Sequence, residues 1–477
     1  IHQIQWAFTK FRQAAVFGLI RRSNREVHQT RLVMPFLLLR SKTPRAMPFR
    51  FISAPWLAGL ACALACCSVQ AQTLTEVVQQ ALASYPALAS AQAKAEAARA
   101  DIARARSAHY PQLSVGASAN SYASGSVPSS LGATTFSPTA KVNLWSGGRI
   151  EADAQRAEAL TLSSEAQRQV TQEDVALQAT EAYLNWAKTA DLYQLSVRNL
   201  NGHLETLEDI RKIAQVDAGR RIDLEQAQVR VDNARLALQQ RKSDLVQAMQ
   251  KLQRFWKDEM AARPMGLTEA TAPHGPLGSL PLSIEEATSH VKDELPILAQ
   301  YRAQVSAAEA AVRQAQGLHW PTLDLVSSRQ FNTNTQRFDT LTQLQLNMAV
   351  YNGYGTQAQV EAAAAQWRAA QAALDEARLM QKEKVANAWQ EWATSTSRAQ
   401  LGNTQSDVGD KVVEGYRQQF RLARRSLLDL LNIQADSFNY RSGALAAMHD
   451  ERIARARLLA AMGALAARFE PGSLSKP

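Results

Sequence analysis

Two periodicities alternate along this chain. From Leu74 to Arg106 the text is rich in Ala, Gln, Glu and Arg, and Pro86 alone interrupts a helical pattern. After Pro111 the period becomes two. Leu113, Val115, Ala117 and Ala119 alternate with Ser114, Gly116, Ser118 and Asn120, as a strand with one apolar and one polar face requires. The spacing predicts strands over about 112–122 and 136–145, joined through the Gly/Ser/Pro-rich segment Ala123 to Thr135. A second hairpin is predicted over about 322–331 and 340–351, where Leu344, Leu346, Met348 and Val350 alternate with Gln343, Gln345 and Asn347. Its loop runs from Thr333 to Asp339.

The rest is long helix. From Ile150 to about Val216 there is no proline and one glycine, Gly202; from Thr356 to about Phe420 there is no proline, with Gly402, Gly409 and Gly415. About 65 residues at 1.5 Å each make a rod of roughly 100 Å, too long for an ordinary globular domain. A second helix is predicted after each rod, over about Ile222 to Trp256 and Leu427 to Phe469. The intervening turns are Asp217-Ala218-Gly219 and Ala423-Arg424-Arg425.

These elements form two copies of one unit. Ser84-Tyr85-Pro86-Ala87-Leu88 matches Glu294-Leu295-Pro296-Ile297-Leu298, and His109-Tyr110-Pro111-Gln112-Leu113 matches His319-Trp320-Pro321-Thr322-Leu323, each 210 residues apart. Leu144-Trp145-Ser146-Gly147-Gly148 matches Val350-Tyr351-Asn352-Gly353-Tyr354, and Asp223-Leu224 matches Asp429-Leu430, each 206 apart. The change of offset falls where the hairpin loop should be. The copies are expected over 72–263 and 282–469, with a Pro/Gly-rich linker at 264–281 and a tail at 470–477. Each strand has about the length of a tilted bilayer crossing. Four strands cannot close a barrel, and an open edge is not tolerated in hydrocarbon, so membrane strands here would require several chains to share one barrel.

Charge changes this picture little. The chain of 477 residues is +10 overall, a balance that would suggest nucleic acid. Ten of its basic residues and one acid, Glu26, lie in residues 1–71, which leaves 43 basic against 42 acidic residues in the remainder. Nucleic acid is therefore not expected as a partner. Mean hydropathy is -0.27 and no apolar run reaches the roughly 20 residues of a membrane helix.

Residues 47–71, MPFRFISAPWLAGLACALACCSVQA, read as a secretory signal peptide: a start Met, Arg50, an apolar stretch from Trp56 to Cys67 and a small-x-small site ending at Ala71. Residues 1–46 are expected to be an upstream extension, with translation starting at Met47 or, as second choice, Met34. Cys62, Cys66 and Cys67 all lie in the signal segment, so the mature chain is expected to lack thiol chemistry. Lipidation at Cys62 or Cys66 is the rival reading.

The signal peptide, the duplicated unit, the Tyr-Pro and Trp-Pro pairs before the first strands and Leu-Trp-Ser-Gly-Gly-Arg after the second resemble the TolC family of outer-membrane efflux proteins, over about residues 73–468. The resemblance implies an α+β membrane protein. Its duplicated helix–hairpin–long helix–helix units would build a homotrimer with a 12-stranded outer-membrane barrel continuous with a periplasmic α-helical barrel. The segment from Phe420 to Leu431 is most similar to the periplasmic tip of the branch serving type I secretion of adhesins and RTX-like proteins. It implies an inner-membrane ABC transporter or other pump and a periplasmic adaptor as partners, with outer-membrane lipid around the barrel and no cofactor. By resemblance Arg425 takes the place of a gating arginine and Asp223 that of its acidic partner on the other hairpin. Phe420 stands where the best-known member has a gating tyrosine. Asp429 matches a ring of aspartates at the entrance constriction, with Asn432 replacing a second such aspartate. Gly219, Arg220, Ala423, Arg424 and Ser426 match the tip turns that face the adaptor. Three carboxylates converging on one axis would concentrate negative potential in the pore and favour cations.

No His-Glu-x-x-His, Gly-x-Ser-x-Gly, phosphate-binding Gly-Lys-Ser/Thr or metal-spaced Cys/His cluster occurs, so an enzyme is not expected. Trp186, Trp367, Trp389 and Trp392 read as groove packing. Three functions remain at this stage: a type I secretion duct, a drug-efflux duct, or a periplasmic coiled-coil adaptor or scaffold.

Overall fold

The computed structural model describes residues 73–119, 134–256, 277–332, 337–422 and 424–470. The expected signal peptide, the upstream extension, most of the first hairpin's loop, most of the linker and all of the tail but Glu470 lie outside them, as does Ala423; Thr134 and Thr135, expected in the loop, pair with Ala119 and Ser118 and belong to the strand.

The chain opens with α1 (Leu74–Ser84), whose Thr73 and Glu76 form a reciprocal capping box, and α2 (Pro86–Arg106), started by a proline at its first position. Strands β1 (Gln112–Ala119) and β2 (Thr134–Trp145) follow, then the rod α3 (Arg149–Val216) and the returning helix α4 (Arg221–Leu252). The second copy begins with a short α5 (Ile284–Ser289) and α6 (Pro296–Gln316). Strands β3 (Thr322–Asn332) and β4 (Arg337–Asn347), the rod α7 (Gly355–Arg421), α8 (Leu427–Ala461) and a final turn α9 (Leu465–Arg468) complete it. The rods hold 68 and 67 residues, about 100 Å each.

Several boundaries differ from the sequence expectation. Strand β4 occupies 337–347 and not 340–351, because Asn347 pairs with Thr322, the first residue of β3, and nothing remains to pair with Val350 or Tyr351. At its other end Arg337, Phe338 and Asp339 pair with Asn332, Phe331 and Gln330 and so belong to the strand. The helix expected over 427–469 breaks after Ala461, where Gly463 adopts φ +67° and α9 starts afresh. Helix α4 likewise stops at Leu252, four residues short.

All four strands form one antiparallel sheet in the order β1-β2-β3-β4, so the hairpins of the two copies join through β2 and β3. The helices lie side by side: α4 packs on α3, α3 on α8, and α8 on α7. Near the sheet the contact surface of α3 consists of Ala152, Ala154, Ala157 and Ala159, small residues that let α2 and α6 approach closely. Near mid-rod a collar of larger side chains joins both copies: Val77, Leu184, Trp186, Leu252, Val385, Leu458, Leu459, Leu465 and Phe469 are all buried there. Trp389 donates from Nε1 to the Pro281 carbonyl at 3.3 Å and Trp392 to Glu451 at 3.0 Å, which makes these indoles part of the collar.

The step from strand to rod is alike in both copies. Gly147 and Gly353 both take left-handed backbone, and the next residue does so too, Gly148 in one copy and Tyr354 in the other. A Cβ on Gly147 would lie 2.5 Å from Trp320 Cβ, whereas one on Gly148 would meet nothing within 4 Å. Gly147→Ala is therefore expected to cost about 3 kcal/mol or more, through positive φ and overpacking together, and Gly148→Ala only about 1 kcal/mol. Thermal unfolding in detergent would show the ranking; equal effects would contradict it.

Candidate functional site

The sheet has one polar and one apolar face, and cross-strand register fixes which residues share each. Leu113 stands opposite Ala140, Val142 opposite Leu325, Leu325 opposite Leu344, and Leu323 opposite Leu346. This apolar face has no protein over it: Leu113 is 83% exposed and Leu344 61%. The other face carries Gln112 beside Lys141, and Asn143, Asp324 and Gln345 in one row. Asp324 accepts a hydrogen bond from Asn143 Nδ2 at 2.8 Å and pairs with Lys141 at 3.0 Å, which ties the two hairpins together on the polar side.

Aromatic side chains border the apolar band. At the end next to the helices, Trp145 meets Trp320 edge-on at 6.4 Å and Tyr351 meets Tyr354 at 5.9 Å; Tyr110 is exposed nearby. Phe136 and Phe338 stand exposed toward the other end. An exposed, mainly apolar strip with aromatic borders is the pattern of a lipid-facing β-surface. Among the described residues no helix is long and apolar enough to cross a membrane, so the strands are the candidates for the crossing.

The opposite end of the rods is the tip, where the two hairpin turns pack against each other. Ile210 of α3, Leu427 and Leu431 of α8 form a buried cluster, with Ile213, Leu224 and Phe420 against it. Phe420 therefore lies between the hairpins as packing. Asp217 accepts from the Gly219 N–H at 3.0 Å and stands 3.8 Å from Arg220, which shapes the first turn. In the second turn the Arg424 N–H donates to the Gln419 carbonyl, and Ser426 Oγ caps α8 by accepting from the Asp429 N–H at 3.2 Å.

Arg425 reaches back along its own hairpin. Its guanidinium carbon sits 4.4 Å from the Tyr416 ring centroid, its Nε donates to Gln419 Oε1 at 3.1 Å, and Asp429 is 4.0 Å away. The expected pair with Asp223 is not formed in the protomer, and Asp223 has no ion-pair partner among the described residues. The links between hairpins are others: Arg230 donates to Asn432 Oδ1 at 3.0 Å and Gln434 to Thr206 Oγ1 at 3.2 Å. Tyr416 and Arg230 were not singled out from the sequence. Tyr416 lies one helical turn before Phe420, on the same face, and that spacing is the signal that could have found it.

Charge is also placed at mid-rod. Glu173 of α3 accepts from the N–H groups of Leu465 and Ala466, at 3.1–3.2 Å, and so holds the start of α9 to the collar. Burial pushes its carboxyl up to about 7, against the pull of those two N–H groups.

A sheet with an uncovered, aromatic-bordered apolar face, mounted on paired helical rods, has the architecture of an outer-membrane channel protein. The chain belongs to the outer membrane efflux protein family, whose model matches residues 77–256 and 288–464, one segment in each copy of the repeat. It is 23% identical over 404 residues to the outer membrane efflux protein BepC of Brucella suis, covering 83% of this chain and 86% of that one. It is 26% identical over 333 residues to the protein CyaE of Bordetella pertussis, covering 66% and 68%. The solved structure of CusC, described as forming a transmembrane channel, superposes with a TM-score of 0.72 at 17% identity, over 82% of this chain and 91% of that one. The protein is an outer-membrane component with a long periplasmic extension.

Proposed function

We propose that three copies of this chain close one 12-stranded barrel and one helical tunnel, forming a passive exit duct through the outer membrane. The observation that carries this reading is the sheet itself. Its outer strands β1 and β4 have no further strand partner among the described residues, while its apolar face is built for lipid. Unpaired backbone groups cannot remain in hydrocarbon, so β4 of one copy must pair with β1 of the next until the ring closes. The polar row of Lys141, Asn143, Asp324 and Gln345 then faces the water-filled lumen. Energy for transport comes from an inner-membrane pump joined to the tip through a periplasmic adaptor.

The cargo reading follows the tip. The segment Phe420–Leu431 resembles the branch serving type I secretion, so the duct is assigned to a protein secretion system with an ABC transporter. Drug efflux is the second reading, favoured by the family's description as efflux proteins and by the relative named an efflux protein. Deleting the gene and comparing secreted large proteins with antibiotic susceptibility separates them. Lost secretion with unchanged susceptibility supports the first; unchanged secretion with raised drug sensitivity reverses the order.

At the tip, Arg425 is the proposed gate residue, with Asp429 and Asn432 around the entrance, and its stack on Tyr416 is what holds the guanidinium in place. Such a contact is worth about 1 kcal/mol at an exposed site. Arg425→Ala is expected to raise single-channel conductance in planar bilayers, and Tyr416→Ala to do so to a smaller extent. Conductance unchanged in both would remove the pair from gating.

A further inference from the structure

The uncovered face of the sheet differs between its two hairpins. In the half farther from the helices, register places Val115, Ala117 and Pro138 of the first hairpin on that face, but Ser327, Arg329, Thr340 and Thr342 of the second. Arg329 stands opposite Thr340 and Ser327 opposite Thr342. Arg329 is the one charged side chain of this face among the described residues, and it is exposed. A cation on a lipid-facing strand is costly at the midplane and nearly free close to an interface. Arg329 lies one row, about 7 Å along the strand, inside that of Phe338. Its guanidinium carbon sits 5.0 Å from the centroid of the Phe338 ring, so the side chain extends away from the helices, toward the outer border.

The chain offers this cation no counter-charge. Residues 120–133 and 333–336, which join the strands, contain no Asp or Glu, and across 112–148 and 320–354 the acids are Asp324 and Asp339. Both belong to the opposite face, and Asp324 already pairs with Lys141. A neighbouring copy would bring the same strands and so no acid either. The anion that matches Arg329 must come from outside the protein.

We infer that Arg329, with the hydroxyls of Ser327, Thr340 and Thr342 beside it, binds the phosphate headgroup of a lipid in the outer leaflet. The inference rests on reading the sheet as the membrane crossing and names a ligand for its surface. With the helices on the periplasmic side, the Phe338 end of the strands lies toward the cell exterior. A guanidinium presents paired N–H groups that match two phosphate oxygens at once. Ser327 Oγ and Thr342 Oγ1 lie 3.0 Å apart and share one proton, which leaves the other free to donate. The site opens sideways into the bilayer, which favours a lipid over a free ion.

The test is native mass spectrometry of the protein extracted in mild detergent, stripped of lipid and titrated with diphosphoryl lipid A. The parent is expected to bind it about tenfold more tightly than the dephosphorylated lipid. Arg329→Gln is expected to lose that preference, and Arg329→Lys to recover part of it, because lysine keeps the charge without the fork. Equal preference in the parent and Arg329→Gln, at the same oligomeric state, overturns the site. Displacement of the lipid by inorganic phosphate at matched concentration overturns the lipid as its source. The orientation beneath the proposal is read separately by labelling Leu344→Cys in intact outer membranes with a water-soluble maleimide. Full labelling shows that this face does not meet lipid; protection, with no phosphate preference in the parent, removes the headgroup site alone.

Discussion

Leu113→Arg is expected to abolish accumulation of the protein in the outer membrane. Leu113 sits on the apolar face opposite Ala140, in a row that continues through Ser327 and Thr342 and lies between the rows of Trp145 and Phe136. It is among the most exposed large apolar side chains of the sheet. An arginine at the midplane of a lipid-facing strand costs about 2–4 kcal/mol, and the proposed threefold ring would repeat it, for about 6–12 kcal/mol per assembly. The adjacent residue provides the control. Ser114 lies on the polar face, its hydroxyl directed to the Thr139 carbonyl, so Ser114→Arg is expected to insert almost normally. Membrane fractionation with quantitative blotting reads both. Normal insertion of Leu113→Arg would mean that this face does not meet lipid.

The second large effect is a pH dependence of stability centred on Glu173. Its carboxyl has an ordinary value of 4.5 and is pushed to about 7 in the folded chain. The folded state therefore holds a proton that the unfolded state has released between those two values. The contribution is greatest below pH 4.5, falls as pH rises to about 7 and is constant above. At about 1.4 kcal/mol per pH unit the loss would reach about 3 kcal/mol, and about 2 kcal/mol is expected because the carboxyl is only partly buried. Glu173→Gln keeps an acceptor for the N–H groups of Leu465 and Ala466 and removes the titration. It is expected to be more stable than the parent at pH 8 and nearly equal to it at pH 4.5. The quantity to compare is the difference in Tm between the two proteins at each pH, since other groups titrate in both. A difference independent of pH would show that Glu173 does not carry a displaced proton.

Much of this architecture was legible in the sequence because it is written in long periodic segments. The rod starts were visible because Pro is absent and Gly scarce inside the rods, while Gly147-Gly148 and Gly353 stand just outside: α3 was expected from Ile150 and starts at Arg149, and α7 was expected from Thr356 and starts at Gly355. Strand ends were less legible, because alternation of side chains continues past the point where a partner runs out. Met348 and Val350 extend the pattern of β4, yet β3 has no residue left to pair with them. The break after Ala461 was hidden because Met462-Gly463-Ala464 lies in an alanine-rich text that reads as helix, and only the positive φ of Gly463 ends it. The tip was the hardest part. Arg425 has several acceptors and one ring within reach, and which of them it meets depends on how α7 is rotated at its end. The resemblance pointed across to Asp223, while the side chain turned back to Tyr416 and Gln419. The open edges of β1 and β4, by contrast, were implied as soon as four strands of bilayer length were counted.

Those edges support the central claim, that several copies together make one conduit. Its most direct measurement is conductance across a planar bilayer by protein extracted from the outer membrane in mild detergent. The account predicts discrete, long-lived channels that appear only with the trimeric species and vanish when it is dissociated by heat. A purified, correctly folded protein that stays monomeric and leaves the bilayer resistance unchanged would contradict it.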